Sequence, residues 1–144
     1  MPIRDFVEAF NERTKSVISP GSFLCVDECM LAYEGLELEY STNGMPAKQK
    51  IARKPKGVGM ELKSVADGDT GCILRVEMHE GKQKQQFKEF EEHGSGCAFV
   101  LRLCRSWFGS GRTVVADSAF SSLNTCTRLL ERGLLFMGMV KTAH

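Results

Sequence analysis

The stretch RTVVADSAFSS, residues 112–122, and the earlier stretch SFLCVDEC, residues 22–29, share one pattern. In each, a short apolar run is followed at once by an acidic residue, Asp117 in the first and Asp27 in the second. Short apolar runs are typical of buried strands, and functional groups collect at the carboxyl ends of parallel strands in α/β sheets. If the two strands are parallel neighbours, their two carboxylates converge.

Two converging carboxylates favour a site for a hard divalent cation. Neighbouring carboxylates do not both stay charged unless a cation lies between them, and oxygen ligands suit Mg²⁺ or Mn²⁺ better than zinc. Two such ions about 4 Å apart can stabilise the attacking and leaving oxygens of a phosphoryl transfer. A helix-capping role is an equally simple explanation of Asp117 taken alone.

The order of the predicted elements indicates an α/β domain. Apolar periodicity predicts helices over 3–18, 97–108 and 119–132, and strands over 22–30, 57–67, 72–81, 113–116 and 134–140. The turn signal DGDTG joins the second and third strands into a hairpin, and the last strand is expected to be fully buried. This order predicts a mixed sheet with helices on its faces and a right-handed, parallel final crossover.

Length and composition limit the classes of protein to which the chain can belong. The chain has 144 residues, 42% hydrophobic and 26% charged, with a net charge of +1, which predicts one globular domain. We expect the six cysteines to be small buried hydrophobes in a reducing compartment. No apolar run is long enough to span a membrane, and Asp5 and Glu8 argue against a signal peptide, so we expect a cytosolic or nuclear location.

A basic segment, KQKIARKPK at 48–56, is the candidate DNA-binding surface. Its cations are Lys48, Lys50, Arg53, Lys54 and Lys56. Clustered cations contact phosphates, although a solvated loop explains the same residues. Three arginines would extend the basic face: Arg102, Arg105 and Arg112. The charged segment 77–92 is expected to be solvated, and His79 is expected to have a structural or surface role.

Four motifs carry a family resemblance. VDE at 26–28, KPKGVG at 54–59, DSAFSS at 117–122 and GMVKT at 138–142 resemble, in order and spacing, the catalytic domain of piggyBac-type transposases. The resemblance covers about residues 5–143. It implies a ribonuclease-H-like α/β fold, with a mixed five-stranded sheet and flanking helices, in which the first and fourth strands are parallel neighbours.

The resemblance also implies a chemistry. Asp27 and Asp117 would be two of the three acidic, catalytic metal ligands of a DDE/DDD transposase, a polynucleotidyl transferase that uses Mg²⁺ or Mn²⁺. Such enzymes cut DNA and join the freed 3′ hydroxyl to target DNA. Glu28 is expected to point to the opposite face of its strand, which makes it a neighbour of the site and not a ligand.

The resemblance divides the chain into an N-terminal helix, residues 1–20, and a partial ribonuclease-H-like domain, residues 21–144, truncated after the fifth strand. The family's third acid lies further downstream. We therefore expect weak metal binding and little or no activity from this chain alone. We also expect one bare sheet face and a tendency to self-associate through it.

Two alternatives stay open. The chain could be a domesticated, non-catalytic DNA-binding or protein-interaction module on the same scaffold. It could also be an unrelated α/β ligand-binding domain that contains similar motifs by chance. DNA is the expected partner and no membrane is expected. The expected location is the nucleus, or the cytoplasm for an inactive remnant.

Overall fold

The computed structural model describes residues 2–32, 49–50, 58–81 and 85–139. Three helices are present in these ranges: α1 (Pro2–Val17), α2 (Ser95–Cys104) and α3 (Leu123–Leu130). The strands are β1 (Phe23–Ala32), β2 (Gln49–Lys50), β3 (Val58–Asp67), β4 (Ile73–Met78), β5 (Thr113–Ala116) and β6 (Leu135–Gly138). Short 3₁₀ turns cover Glu91–His93 and Arg105–Trp107.

β1 lies at the centre of one mixed sheet. It pairs antiparallel with β3 on one side and parallel with β5 on the other. β6 continues the sheet parallel to β5, while β4 and the two-residue β2 both pair with β3. The predicted five-stranded mixed sheet is confirmed, including the parallel neighbours β1 and β5. β2 is a short addition that the apolar pattern did not predict.

Several element bounds differ from the predictions. β1 extends to Ala32 because it stays paired with β3 after its pairing with β5 has stopped, so Asp27 lies inside the strand and not at its end. The helix predicted to reach Phe108 ends at Cys104 and continues as a 3₁₀ turn. β6 is not fully buried: Leu135 and Met137 are 53% and 59% exposed.

The hydrophobic core lies between the sheet and α2. Every residue of α2 from Cys97 to Cys104 is buried. The helix packs on a fully buried group of aliphatic side chains from β1, β3, β5 and the residue before β6: Leu24, Val65, Val114 and Leu134. This packing fixes the central strands, and it therefore fixes the residues that follow them. No described helix is both long and apolar enough to cross a membrane.

α1 is held against the outer strand β4 by hydrogen bonds to backbone groups. The Asn11 amide donates to the Val76 carbonyl at 2.9 Å, and its oxygen accepts the Val76 N–H at 2.8 Å. The Thr14 hydroxyl donates to the Leu74 carbonyl at 2.7 Å. α1 thereby satisfies polar groups that an outer strand would otherwise expose to solvent.

The segment predicted to be solvated contains a buried ion pair. Glu77 in β4 is buried, and its carboxylate lies 2.8 Å from the guanidinium of Arg102 in α2, which is only 3% exposed. Burial raises the pKa of Glu77, while Arg102 acts in the opposite direction. Glu80 and Gln85 are buried as well, so the prediction of a solvated segment is wrong for these residues.

All six cysteines are reduced thiols, but they are not all buried. Cys97 and Cys104 lie in the core as predicted, and burial raises the pKa of Cys104 to about 12. Cys29 and Cys72 are exposed, because Cys29 lies on the outer face of β1 and Cys72 follows the hairpin turn. The prediction of six buried thiols is therefore wrong for these two.

Candidate metal centre

The acidic site forms where the parallel pairing of β1 and β5 stops. The last residue pair of this ladder is Val26 with Ala116, and Asp27 and Asp117 come directly after it. Because parallel neighbours run in the same direction, these two aspartates leave the ladder at the same edge. One carboxylate oxygen from each of Asp27, Glu28 and Asp117 lies within 4.8 Å of the other two.

Asp117 is held by a tight turn. Its Oδ1 accepts the N–H of Ala119 at 2.8 Å. Its carbonyl accepts the N–H of Ser121 at 3.1 Å and the Ser121 hydroxyl at 2.7 Å. The cap of α3 is instead Ser122, whose Oγ accepts the Thr125 N–H at 3.0 Å. The helix-capping explanation of Asp117 is therefore wrong.

A glycine in β6 makes room for this turn. A Cβ added at Gly138 would collide with the hydroxyl of Ser121 and with the ring of Phe136. Because residue 138 has no Cβ, β6 can pass directly beside the Asp117 turn. A side chain at residue 138 would push against this turn and disturb the site.

Asp27 and Glu28 reach the same cluster from opposite sides of β1. Asp27 is exposed and Glu28 is buried, as strand alternation predicts. Asp27 Oδ1 accepts the N–H of Glu28 at 2.7 Å, which holds the Asp27 carboxylate against the backbone of the following residue. Glu28 thus lies on the opposite face of the strand, as expected, yet one of its carboxylate oxygens is still within 4.8 Å of those of the two aspartates, so three carboxylates converge.

A cationic residue on β3 is the ladder partner of one member of this cluster. Lys63 pairs with Glu28 in the β1–β3 ladder, and its ammonium lies 2.8 Å from Glu61. The opposite carboxylate oxygen of Glu61 lies 2.8 Å from Nδ1 of His79. The hydrogen bond with His79, together with the ammonium of Lys63, lowers the pKa of Glu61 to about 2. Lys63, Glu61 and His79 thus form a row of alternating basic and acidic groups that begins at the ladder partner of Glu28.

Comparison with known proteins identifies the family. A family model described as Transposase IS4 matches residues 1–144. The chain belongs to this transposase family. A comparison with curated proteins gives no match.

Among solved structures, the transposase-family chain is similar to a piggyBac transposase in a cryo-EM synaptic complex with hairpin DNA. The TM-score is 0.82 at 22% sequence identity, over 100% of this chain and 28% of the other. The chain thus spans 28% of the length of that transposase. The likeness confirms the predicted fold, and with the family match it confirms the resemblance to piggyBac-type transposases.

The predicted DNA-binding cations of this transposase-family chain fall largely outside the described residues. Lys50 is exposed in β2. The remaining four lie outside the ranges that the structure describes: Lys48, Arg53, Lys54 and Lys56.

The three arginines expected to extend the basic face are engaged elsewhere. Arg102 is buried against Glu77, and Arg105 pairs with Glu89 at 2.9 Å. Arg112 donates to the carbonyls of Gly21 and Pro20 at 2.8 and 2.9 Å, which ties β5 to the segment before β1. The predicted extension of the basic face is wrong for Arg102, because its guanidinium lies in the interior.

Sequence reasoning missed Lys63, Glu61 and His79 as neighbours of the centre. Lys63 and Glu61 are two residues apart on β3, so they share the face of the sheet that Glu28 occupies. Alternation along β3 predicts that Lys63 and Glu61 share one face of the strand. Only the register of β3 against β1 shows that this face is the one that Glu28 occupies.

Proposed function

We propose that this chain supplies two catalytic acids, Asp27 and Asp117, to a metal-dependent DNA-cleaving centre of the transposase type. The observation that carries the proposal is the convergence of three carboxylates at the end of the parallel β1–β5 ladder, within a transposase-family chain. This placement matches the position where α/β sheets collect functional groups. The alternative of an unrelated ligand-binding domain has no comparable support.

The donor set fits a hard divalent cation. The converging atoms are carboxylate oxygens from Asp27, Glu28 and Asp117, which suit Mg²⁺ or Mn²⁺. A bound divalent cation supplies Lewis-acid chemistry for phosphodiester cleavage. Asp27 and Asp117 would hold it from the exposed side, and the N–H of Ala119 fixes the orientation of the Asp117 carboxylate. Both aspartates are exposed, so a DNA strand can approach them.

DNA is the proposed partner. The similar piggyBac transposase is described in a complex with hairpin DNA, and the exposed Lys50 offers a cation for phosphate contact. We expect this 144-residue polypeptide by itself to cleave DNA poorly, because the family resemblance implies a third acidic ligand located C-terminal to β6. A non-catalytic module on the same scaffold is the competing outcome.

A thermal titration with Mg²⁺ and Mn²⁺ tests the metal site. A cation that binds only the folded chain adds about 1–3 kcal/mol of stability when its concentration is about 10 to 100 times Kd. We expect the melting temperature of the parent to rise with cation and to stay unchanged for Asp27→Asn and Asp117→Asn. Asp69→Asn, which removes an exposed carboxylate from the β3–β4 turn, is the control and should keep the parental response.

A parent chain whose melting temperature does not respond to either cation would contradict the metal proposal and favour the non-catalytic module. An equal response in Asp69→Asn and Asp27→Asn would show that the cation binds elsewhere.

A further inference from the structure

Lys63 occupies the position on β3 that is paired with Glu28 of the acidic centre. Glu28 and Lys63 are directly paired across the β1–β3 ladder, so their side chains extend from the same face of the sheet. The Cβ atoms of directly paired residues lie about 4.5–5.5 Å apart. Lys63 is therefore a cationic neighbour of Glu28, one of the three converging carboxylates.

The Lys63 ammonium contacts Glu61 and the ring of Phe120. It lies 2.8 Å from Glu61 Oε1 and 4.9 Å from the centroid of the Phe120 ring. Phe120 is buried and belongs to the turn that begins at Asp117, since its N–H donates to the Asp117 carbonyl at 3.2 Å. Lys63 therefore links the strand that carries Glu28 to the turn that carries Asp117.

The surroundings of Lys63 keep it in place. Its side chain is 13% exposed and packs against aromatic rings, with the Phe99 centroid 5.8 Å from the ammonium. Cation–π contacts of this kind stabilise a partly desolvated ammonium. Glu61 supplies the counter-charge, and it is itself fixed by His79. A charge that is shielded from solvent acts on its neighbours with little screening.

We propose that Lys63 is a positioning residue that sets the cation affinity of the centre. Its ammonium stabilises the converging carboxylates while no metal is bound, and it opposes the charge of a divalent cation that binds them. The inference rests on the metal site proposed above. It predicts a centre that is ordered without metal and that binds metal more weakly than its carboxylates alone would.

The test is a Mn²⁺ titration of the whole chain, followed by the electron paramagnetic resonance signal of unbound Mn²⁺, together with melting temperatures in the absence of metal. We expect Lys63→Gln to bind Mn²⁺ about tenfold more tightly. Coulomb's law makes a unit charge repel a divalent ion twice as strongly as a monovalent one, and solvent at the exposed aspartates screens part of this repulsion. We expect the metal-free melting temperature of Lys63→Gln to fall.

Two controls separate charge from packing. Lys63→Arg keeps the charge and should retain the parental Mn²⁺ affinity within about twofold. Lys15→Gln removes the same charge from an exposed position of α1, which packs on β4, and β4 is already two strand spacings of about 4.8 Å from β1. That distance exceeds the Debye length of about 8 Å at physiological salt, so its Mn²⁺ affinity should not change.

The outcomes distinguish this inference from the metal site itself. Parental Mn²⁺ binding with an unchanged or weaker affinity in Lys63→Gln would overturn the role of Lys63 and leave the metal site intact. No Mn²⁺ binding in the parent or in Lys63→Gln would overturn both. If Lys63→Gln does not fold, Lys63→Met, which keeps an unbranched apolar side chain against Phe120, takes its place with the same expectation.

Discussion

Glu61 is a side chain whose charge is fixed by its neighbours, which makes it sensitive to acid. Contacts with His79 and Lys63 lower its pKa from 4.5 to about 2. Because the folded-state pKa lies below the unfolded value, the ionised carboxylate contributes stability above pH 4.5. That contribution is lost as the pH falls from 4.5 toward 2. The stability of the protein between pH 4.5 and 2 therefore reports on the contacts of Glu61 with His79 and Lys63.

Substitution of Glu61 by Gln tests this dependence. We expect Glu61→Gln to melt below the parent at pH 7, with a deficit of about 1–3 kcal/mol. The deficit should shrink as the pH falls from 4.5 toward 2, when measured by circular dichroism melts across this range. Glu12→Gln, at an exposed position of α1, should show no such trend. A deficit that stays constant down to pH 2 would count against the network.

At the residue scale, the sequence predicts the site residues whose placement depends only on the order and direction of the strands. The convergence of Asp27 and Asp117 follows from two apolar runs that lead into acids, once β1 and β5 are parallel neighbours. The approach of Glu28 depends on the hydrogen bond between its N–H and the Asp27 carboxylate and on the end of the β5 pairing, neither of which the sequence reveals. Lys63 required the exact pairing of β1 with β3.

At the scale of elements, α3 is positioned by its cap. Ser122 has an extended backbone, and its Oγ accepts the Thr125 N–H at 3.0 Å. We expect Ser122→Ala to lower the free energy of unfolding by about 1 kcal/mol, because the N–H of Thr125 loses its partner in a buried position. Chemical denaturation measures this loss.

Ser122→Asn is the matched control for the α3 cap. Asparagine is as good a cap as serine, so this variant should unfold at nearly the parental denaturant concentration. Equal losses in the alanine and asparagine variants would mean that packing at residue 122, and not the cap, stabilises α3.

The turn that precedes this cap explains why the helix α3 was predicted too long. Apolar spacing extends the predicted helix back to residue 119, but the hydrogen bonds around Asp117 hold residues 117–121 in a turn and delay the helix to Leu123. Likewise, the charges of 77–92 suggested solvent exposure, whereas Glu77 is neutralised in the interior by Arg102 on α2. Side-chain hydrogen bonds and ion pairs between distant elements decided both cases, and periodicity does not encode them.

At the scale of the whole molecule, the sheet has two unlike faces. One is covered by α2 and forms the core. On the other, the ladders align Phe23 with Thr113 and Leu135, and Cys25 with Val115 and Met137. Phe23, Leu135 and Met137 are 42%, 53% and 59% exposed. In this 144-residue polypeptide an apolar surface therefore crosses β1, β5 and β6.

Apolar surfaces that span several strands commonly drive association. We expect the 144-residue chain to self-associate as its concentration rises, and Met137→Lys to weaken the association at least about tenfold, because a buried ammonium without a partner is costly. Sedimentation velocity over a concentration series measures this. Leu123→Lys places the same charge on an exposed position of α3 and should associate like the parent. A parent that stays monomeric at every concentration, or equal weakening by both lysines, would rule out the sheet face as the contact.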